Sequence, residues 1–239
     1  MLDGRTNINT SYISPIRLKT VLDNMFVQFR GKRQQDAHEL LVALLGELSN
    51  VSAKCAGVLS TSVTCPACLV KGEEKEELFT CLSLGMPTEP NGRSLKLSEC
   101  LKNTFGEEKM DDTWTCPSCM VTMKGAEQTT LLKELPGVLV LHLKRFTQSS
   151  KGAIKNGEAV LIPDWMKVQQ SMYQLTAVVN HIGSSMNSGH YTADVKVGSN
   201  WKKCDDTIVR GGRKMNSMST EAYLMFYERK SGEKTPVNR

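Results

Sequence analysis

His190 stands in the run Gly189-His190-Tyr191, and the acidic pair Asp205-Asp206 follows it within one hairpin's length. An imidazole with a carboxylate behind it is the base half of nucleophilic catalysis. The carboxylate fixes the tautomer and stabilises the imidazolium that forms. Taken alone, a His–Asp pair in a hairpin is more often a structural pair. The eight cysteines do not complete it. None occurs before Cys55, and Cys204 abuts Asp205 on one strand, so it is not a thiol that its own base could activate.

Four other cysteines form two knuckles, Cys65-Pro-Ala-Cys68 and Cys116-Pro-Ser-Cys119. Four thiolates suit tetrahedral Zn²⁺ and leave no open position for hydrolysis, so the site they suggest is structural. The long stretch between the knuckles demands an inserted hairpin to bring them together. Neither knuckle opens a helix in a βαβ context, which argues against a redox pair. The alternative is four reduced thiols without metal. Cys55, Cys81, Cys100 and Cys204 lack partners at ligand spacing and read as core residues.

The chain of 239 residues has room for one large domain or two small ones. A hydrophobic share of 40% and a charged share of 23% are those of a globular protein. The net charge of +5 does not demand nucleic acid. Lys202, Lys203, Arg210, Arg213 and Lys214 read as a solvated basic rim rather than a phosphate patch. The opening thirty residues lack the continuous apolar core of a leader, and the apolar stretch 135–143 is too short to span a bilayer. The expectation is a cytoplasmic or nuclear protein without a membrane partner, whose thiols stay reduced.

The elements that must position these groups change in kind along the chain. Leu18, Val21, Leu22, Met25 and Phe26 repeat at helical spacing within residues 15–29. Asp36, with Glu39 three residues on, resembles a capping box. It opens a second helix with Leu40, Leu41, Leu44, Leu45 and Leu48 as its buried stripe. Residues 57–146 read as short strands, with a charged turn at 71–77, a short helix at 98–105 and a central strand at 135–146. Next come a strand at 173–181, a loop at 183–188 and a strand carrying Tyr191, Ala193, Val195 and Val197 on one half-buried face. Gly198-Ser199-Asn200 reads as a three-residue turn, Trp201 as the start of the return strand and 222–227 as the last strand. The tail 231–239 reads as disordered.

Four ordered stretches resemble the ubiquitin-specific proteases, thiol-dependent deubiquitinases. They are Gly31-Lys32-Arg33-Gln34-Gln35-Asp36-Ala37-His38-Glu39-Leu40-Leu41, the paired knuckles, Leu135-Pro136 through Leu143-Lys144-Arg145-Phe146, and Tyr173 through Gly189-His190-Tyr191. Trp201, Asp205-Asp206 and Ala222 through Tyr227 also match. The resemblance implies an α+β, papain-like fold: a partial thumb at 14–50, zinc-tipped β fingers at 57–130 and an antiparallel β palm at 131–228. It implies His190 as general base and Asp205 as the third triad member. Ideal strand parity across a three-residue turn would instead put Asp206 on the face of His190, unless a bulge intervenes. The same resemblance makes Asp36 a contact for the basic tail of ubiquitin, with Gly189 and Tyr191 in the substrate site. Structural zinc and ubiquitin or ubiquitinated proteins are the implied cofactor and partners, with no nucleic acid.

The sequence departs from that pattern at the nucleophile. The family carries it in a Gly-Asn-Thr-Cys-Tyr-like box upstream of the Gln-Gln-Asp segment, and residues 1–33 hold no cysteine. The expectation is a domain truncated at its N-terminus and inactive alone, with an apolar face exposed where the first thumb helix would pack. The alternatives are a natural, catalytically dead ubiquitin-binding protein and a zinc-stabilised interaction domain unrelated to ubiquitin.

Overall fold

The computed structural model describes residues 14–87, 94–149, 152–185, 188–212 and 217–230. The fold is α+β and mostly strands. Its largest sheet has eight strands. From one edge, Ile208–Gly211 lies beside Asn200–Asp205, Ser188–Val197, Ser171–Ser185, Ala222–Lys230, Val138–Leu143 and Leu82–Leu84, while Trp165–Val168 also pairs with Ser171–Ser185. All pairs are antiparallel except Leu82–Leu84 with Val138–Leu143. Val-Leu-Val-Leu-His-Leu of Val138–Leu143 is buried on both faces, as a near-continuous apolar run requires. One face packs the main core, including Leu84, Leu97, Leu141, Ile162, Leu175 and Met225.

A second sheet of four strands runs in the order Lys75–Phe79, Gly57–Thr64, Glu127–Glu134, Gly106–Lys109. Gly57–Thr64 ends at the first knuckle, and the short pair Trp114–Thr115 and Thr122–Met123 flanks the second. Of the charged turn expected at 71–77, Lys71 bridges to Thr64 and Lys75–Phe79 is a strand, which leaves only 72–74 as an irregular connection. The expected short helix is Leu97–Lys102.

Among the described residues three α-helices, with a 3₁₀ turn at Val27–Phe29, precede the sheets: Ile16–Met25 (α1), Ala37–Glu47 (α2) and Ser49–Cys55 (α3). The stripe read from α1 does not form a packed face. Leu22 is buried, whereas Leu18, Val21 and Met25 stay open to solvent. In α2 only Leu45 is fully buried, against Cys55 and Val140, and Leu48 is exposed. Helical periodicity marked the apolar residues, but the described elements bury only Leu22 of α1 and Leu45 of α2. None of the described helices is long and apolar enough to cross a membrane.

The loop expected at 183–188 is largely strand, since Ser171–Ser185 and Ser188–Val197 continue into it; residues 186 and 187 lie outside the described residues. On Ser188–Val197 the residues Tyr191, Ala193 and Val195 are half-buried as expected, Val197 is exposed, and Thr192 on the other face is buried. The tail 231–239, together with Arg213 and Lys214, lies outside the described residues.

Candidate catalytic and metal sites

His190 sits near the start of Ser188–Val197, and Asp205 ends the neighbouring strand Asn200–Asp205. The turn between them holds two residues, because Val197 pairs with Asn200. Ala193 opposite Cys204 then sets Thr192 opposite Asp205, so His190 and Asp205 share a face without any bulge. The parity expected from a three-residue turn, which favoured Asp206, is therefore reversed by one residue. Asp206 follows the strand at φ 50°, in the left-handed region.

His190 Nε2 lies 2.6 Å from Asp205 Oδ1. With Nε2–H donating to the carboxylate, the neutral ring keeps its lone pair on Nδ1, which makes no hydrogen bond among the described residues. The bond to Asp205 raises the His190 pKa above its ordinary value, and the same bond lowers that of Asp205. Arg210 and Lys203 add to the lowering on Asp205. The arrangement can accept a proton at Nδ1 and hold the resulting imidazolium.

No described cysteine stands with this pair: the metal-ligand atoms clustered there belong to His190, Asp205 and Asp206. Cys55 is buried against Leu45 and Val140, with Cys81 packed alongside. Burial pushes the Cys81 thiol up to about 12 and that of Cys100 to about 11, so both stay protonated and inert. Cys204 pairs with Ala193 on the opposite face of the hairpin from Asp205.

Asp36 is the N-cap of α2. Its Oδ1 accepts the N–H groups of His38 at 2.7 Å and Glu39 at 3.0 Å. Its Oδ2 accepts the hydroxyl of Tyr223 at 2.6 Å and faces that of Tyr191 at 3.5 Å. Four donors thus surround one carboxylate. The expected substrate residues Asp36 and Tyr191 meet here, and Tyr223 joins them. Behind the tyrosines lies a cluster of rings. His38 stacks on His142 at 4.0 Å, and His142 meets Tyr223 edge-on. His181 meets Tyr191 and Phe146 edge-on.

Gly189 has a local reason to be glycine. A Cβ there would lie 2.2 Å from His181 Nε2, so the imidazole occupies the space a side chain would need. Its place next to His190 rests on that close approach.

The two knuckles have the same shape. Cys65 N–H donates to Val70 O and Cys116 N–H to Val121 O, each at 3.0 Å. Leu69 and Met120 follow at φ 59° and 60°. The sulfurs face one another, with Cys65 and Cys119 3.8 Å apart and Cys68 and Cys116 3.8 Å apart. A tetrahedral ion bound at about 2.3 Å separates its sulfur ligands by about 3.8 Å, so the four thiolates fit one metal ion. Backbone N–H groups of Cys119 and Ser118 draw the Cys116 thiol down to about 6, while, against the pull of a backbone N–H on each, burial and the neighbouring sulfurs raise those of Cys68 and Cys119, so a metal would have to displace protons from these two.

Two residues escaped the sequence reading. Tyr223 is far from Asp36 in the chain, and nothing local marks their contact. Arg145 is fully buried and donates to the carbonyls of Ala222 at 2.7 Å, Asn156 at 3.1 Å, Glu158 at 2.9 Å and Ser219 at 3.0 Å. A cation closing an apolar strand was its only sequence signal.

The profile of the family described as ubiquitin carboxyl-terminal hydrolase matches residues 1–227. Among individual proteins, the chain is 29% identical over 273 aligned positions to ubiquitin carboxyl-terminal hydrolase 3 of Homo sapiens, covering 90% of this chain and 52% of that one. It is similar to a solved SAGA deubiquitinating module, Ubp8 with Sgf11, Sus1 and Sgf73 bound to monoubiquitin. The identity is 27% and the TM-score 0.78, over 91% of this chain and 53% of that one. A second such module, bound to ubiquitin aldehyde, gives 27% and 0.77, over 91% and 54%. The chain thus spans about half the length of these relatives.

Proposed function

From the premise that this chain belongs to the ubiquitin carboxyl-terminal hydrolase family, we propose that it forms the proton-transfer and ubiquitin-holding part of a thiol-dependent deubiquitinase domain. The observation that carries the reading is the His190–Asp205 bond, which leaves Nδ1 free to serve a thiol. In this reading His190 takes the thiol's proton and the thiolate attacks the carbonyl of ubiquitin's terminal glycine. His190 then returns the proton to the departing lysine amine. Water, activated by the same imidazole, splits the thioester and releases ubiquitin and the thiol. Asp205 holds the ring in the tautomer that exposes Nδ1. Asp36, ringed by four donors, contributes charge to the basic tail of ubiquitin, exchanging its longest contact, Tyr191, for the incoming cation.

The Cys65, Cys68, Cys116 and Cys119 site holds zinc in this reading. The ion would supply folding energy and no chemistry, since sulfur fills all four positions.

None of the described cysteines stands beside His190, and that observation supports a second reading in which these 239 residues bind ubiquitin without cleaving it. One experiment separates the two. A ubiquitin probe with a thiol-reactive C-terminus is offered to the chain itself and to the chain fused after a Gly-Asn-Thr-Cys-bearing helix. The first reading expects labelling of the fusion alone, with turnover abolished by His190→Ala. Ubiquitin binding without labelling of either protein supports the binder. Absence of ubiquitin binding by both removes the ubiquitin reading altogether.

A further inference from the structure

Where the two large sheets meet, a cleft of about 410 Å³ opens away from the thiol chemistry. Three elements build it. Leu97–Lys102 contributes Leu101 and Lys102, and the loop after it adds Phe105. Glu127–Glu134 contributes Leu131 and Leu132, and the tight hairpin of Trp165–Val168 adds Met166, Lys167 and Val168. The floor is apolar, with Leu101, Leu132, Met166 and Val168 buried. Leu131 is nearly half exposed and forms an apolar wall of the cleft. Gln169, at φ 52° in the hairpin turn, donates to Leu132 O at 2.6 Å, so the wall from one sheet is pinned to the hairpin of the other.

The charged side chains that line the cleft are both basic. Lys102 and Lys167 line it, no carboxylate does, and neither ammonium makes an ion pair among the described residues. The nearest acid on the same helix, Glu99, is turned to its own helix start, where it accepts the Lys96 N–H at 3.0 Å. A concave apolar floor with a few convergent polar groups is the usual form of a small-ligand site, and this volume lies within the usual range. It holds about a dozen water-sized groups at liquid density of about 30 Å³ each.

We propose that this cleft binds an apolar monoanion, a hydrocarbon carboxylate whose head lies between Lys102 and Lys167 and whose tail lies on Leu101, Phe105, Leu131 and Met166. A neutral hydrocarbon would leave both ammoniums unanswered, and a cation would be repelled by them. A head anchored at Lys102 and Lys167 with a tail on Leu131 bridges the two sheets, so occupancy stiffens their junction.

The probes are octanoate, octanol and octylamine, the acid used below its micelle concentration, each titrated into the isotope-labelled chain. Octanoate is expected to shift the backbone amides of Leu101, Phe105, Leu131 and Val168 saturably and to raise the thermal midpoint. Octylamine should leave these amides unmoved, and octanol should bind about tenfold more weakly. Lys102→Gln with Lys167→Gln should leave the ligand-free midpoint unchanged and weaken octanoate about tenfold. A peptide with a free apolar C-terminus, compared with its amidated form, separates a C-terminal carboxylate from a fatty acid as the source of the same chemistry. Equal binding of octanol, octanoate shifts elsewhere on the protein, or undiminished affinity in the double variant would each overturn the proposal.

Discussion

The phenol of Tyr223 donates to Asp36 Oδ2 at 2.6 Å, and this bond ties the start of α2 to the last strand of the large sheet. Asp36 Oδ1 is meanwhile occupied by the N-cap bonds of the same helix. One carboxylate therefore sets the helix and docks it. Burial and the bond to Asp36 both raise the Tyr223 pKa, so the phenol remains a donor across the working pH range.

Tyr223→Phe keeps the ring and its contact with His142 but removes the donor. A hydrogen bond to a charged acceptor is worth about 2 kcal/mol, so urea unfolding should show a loss of that order. Asp36→Ala should cost about 1 kcal/mol more, because the cap is lost as well. Asp36→Asn keeps a good cap and isolates the charge. If Tyr223→Phe and Asp36→Ala leave the urea midpoint unchanged, the docking role is wrong.

The knuckles make a prediction about metal. Purified under reducing conditions, the chain should carry one zinc ion, and a strong chelator should lower its thermal midpoint by many degrees. Cys116→Ser should abolish stoichiometric zinc and loosen the four-stranded sheet first, because Gly57–Thr64 ends at Cys65. Hydrogen exchange in Gly57–Thr64 and Glu127–Glu134 reads that loosening. Metal-free protein with full protection of those strands would contradict it.

Arg145 makes a third test. Its guanidinium replaces water for four carbonyls and has no carboxylate beside it among the described residues, and burial lowers its pKa to about 10. Arg145→Met fills similar space but leaves those carbonyls unpaired. Of the four residues only Ala222 is buried, while Asn156, Glu158 and Ser219 are partly open to water, so the variant should lose on the order of 2 kcal/mol. Arg145→Lys should recover only part of the loss, since one ammonium cannot span four acceptors.

The sequence made the central strands of the large sheet legible because their runs are apolar or β-branched, as in Val138–Leu143 and Ser171–Ser185, whereas the short strands Trp165–Val168 and Ile208–Gly211 went unread. It made the knuckles legible because four thiols at C-x-x-C spacing have few uses. His190 and Asp205 were nameable from the motif, but their pairing turned on a single residue of turn length, Val197 opposite Asn200, which composition does not fix. The Tyr223–Asp36 bond and the four carbonyls on Arg145 join segments distant in the chain, and no periodicity encodes such contacts. The apolar stripe of α1 was legible as a stripe, yet what covers it is a tertiary matter on which its spacing is silent.

The stacked imidazoles make the acid limb of stability the last prediction. His142 is buried beneath α2. Its Nδ1 lies 2.9 Å from Ser83 Oγ, its Nε2 is buried without a hydrogen-bond partner among the described residues, and its face lies on His38. Burial, then the charges of His38 and Lys144, push its pKa from 6.5 down to about 4, against an opposing pull from Asp36. His38 is lowered as well, chiefly by burial, against Asp36 and Glu39. Between pH 6.5 and pH 4 the unfolded chain therefore binds more protons at these rings than the folded one. Stability present above pH 6.5 is lost as pH falls through that window, by an amount on the order of 3 kcal/mol for His142. His190 acts in the opposite sense, because its bond to Asp205 raises its pKa; its contribution is present at low pH and fades as pH rises through the raised value. His142→Phe keeps a stacked ring without a titrating group. Urea midpoints measured from pH 7.5 to pH 4 should fall steeply in the parent and more gently in His142→Phe. If the two proteins lose stability in parallel, the buried imidazole is not the source of the acid sensitivity.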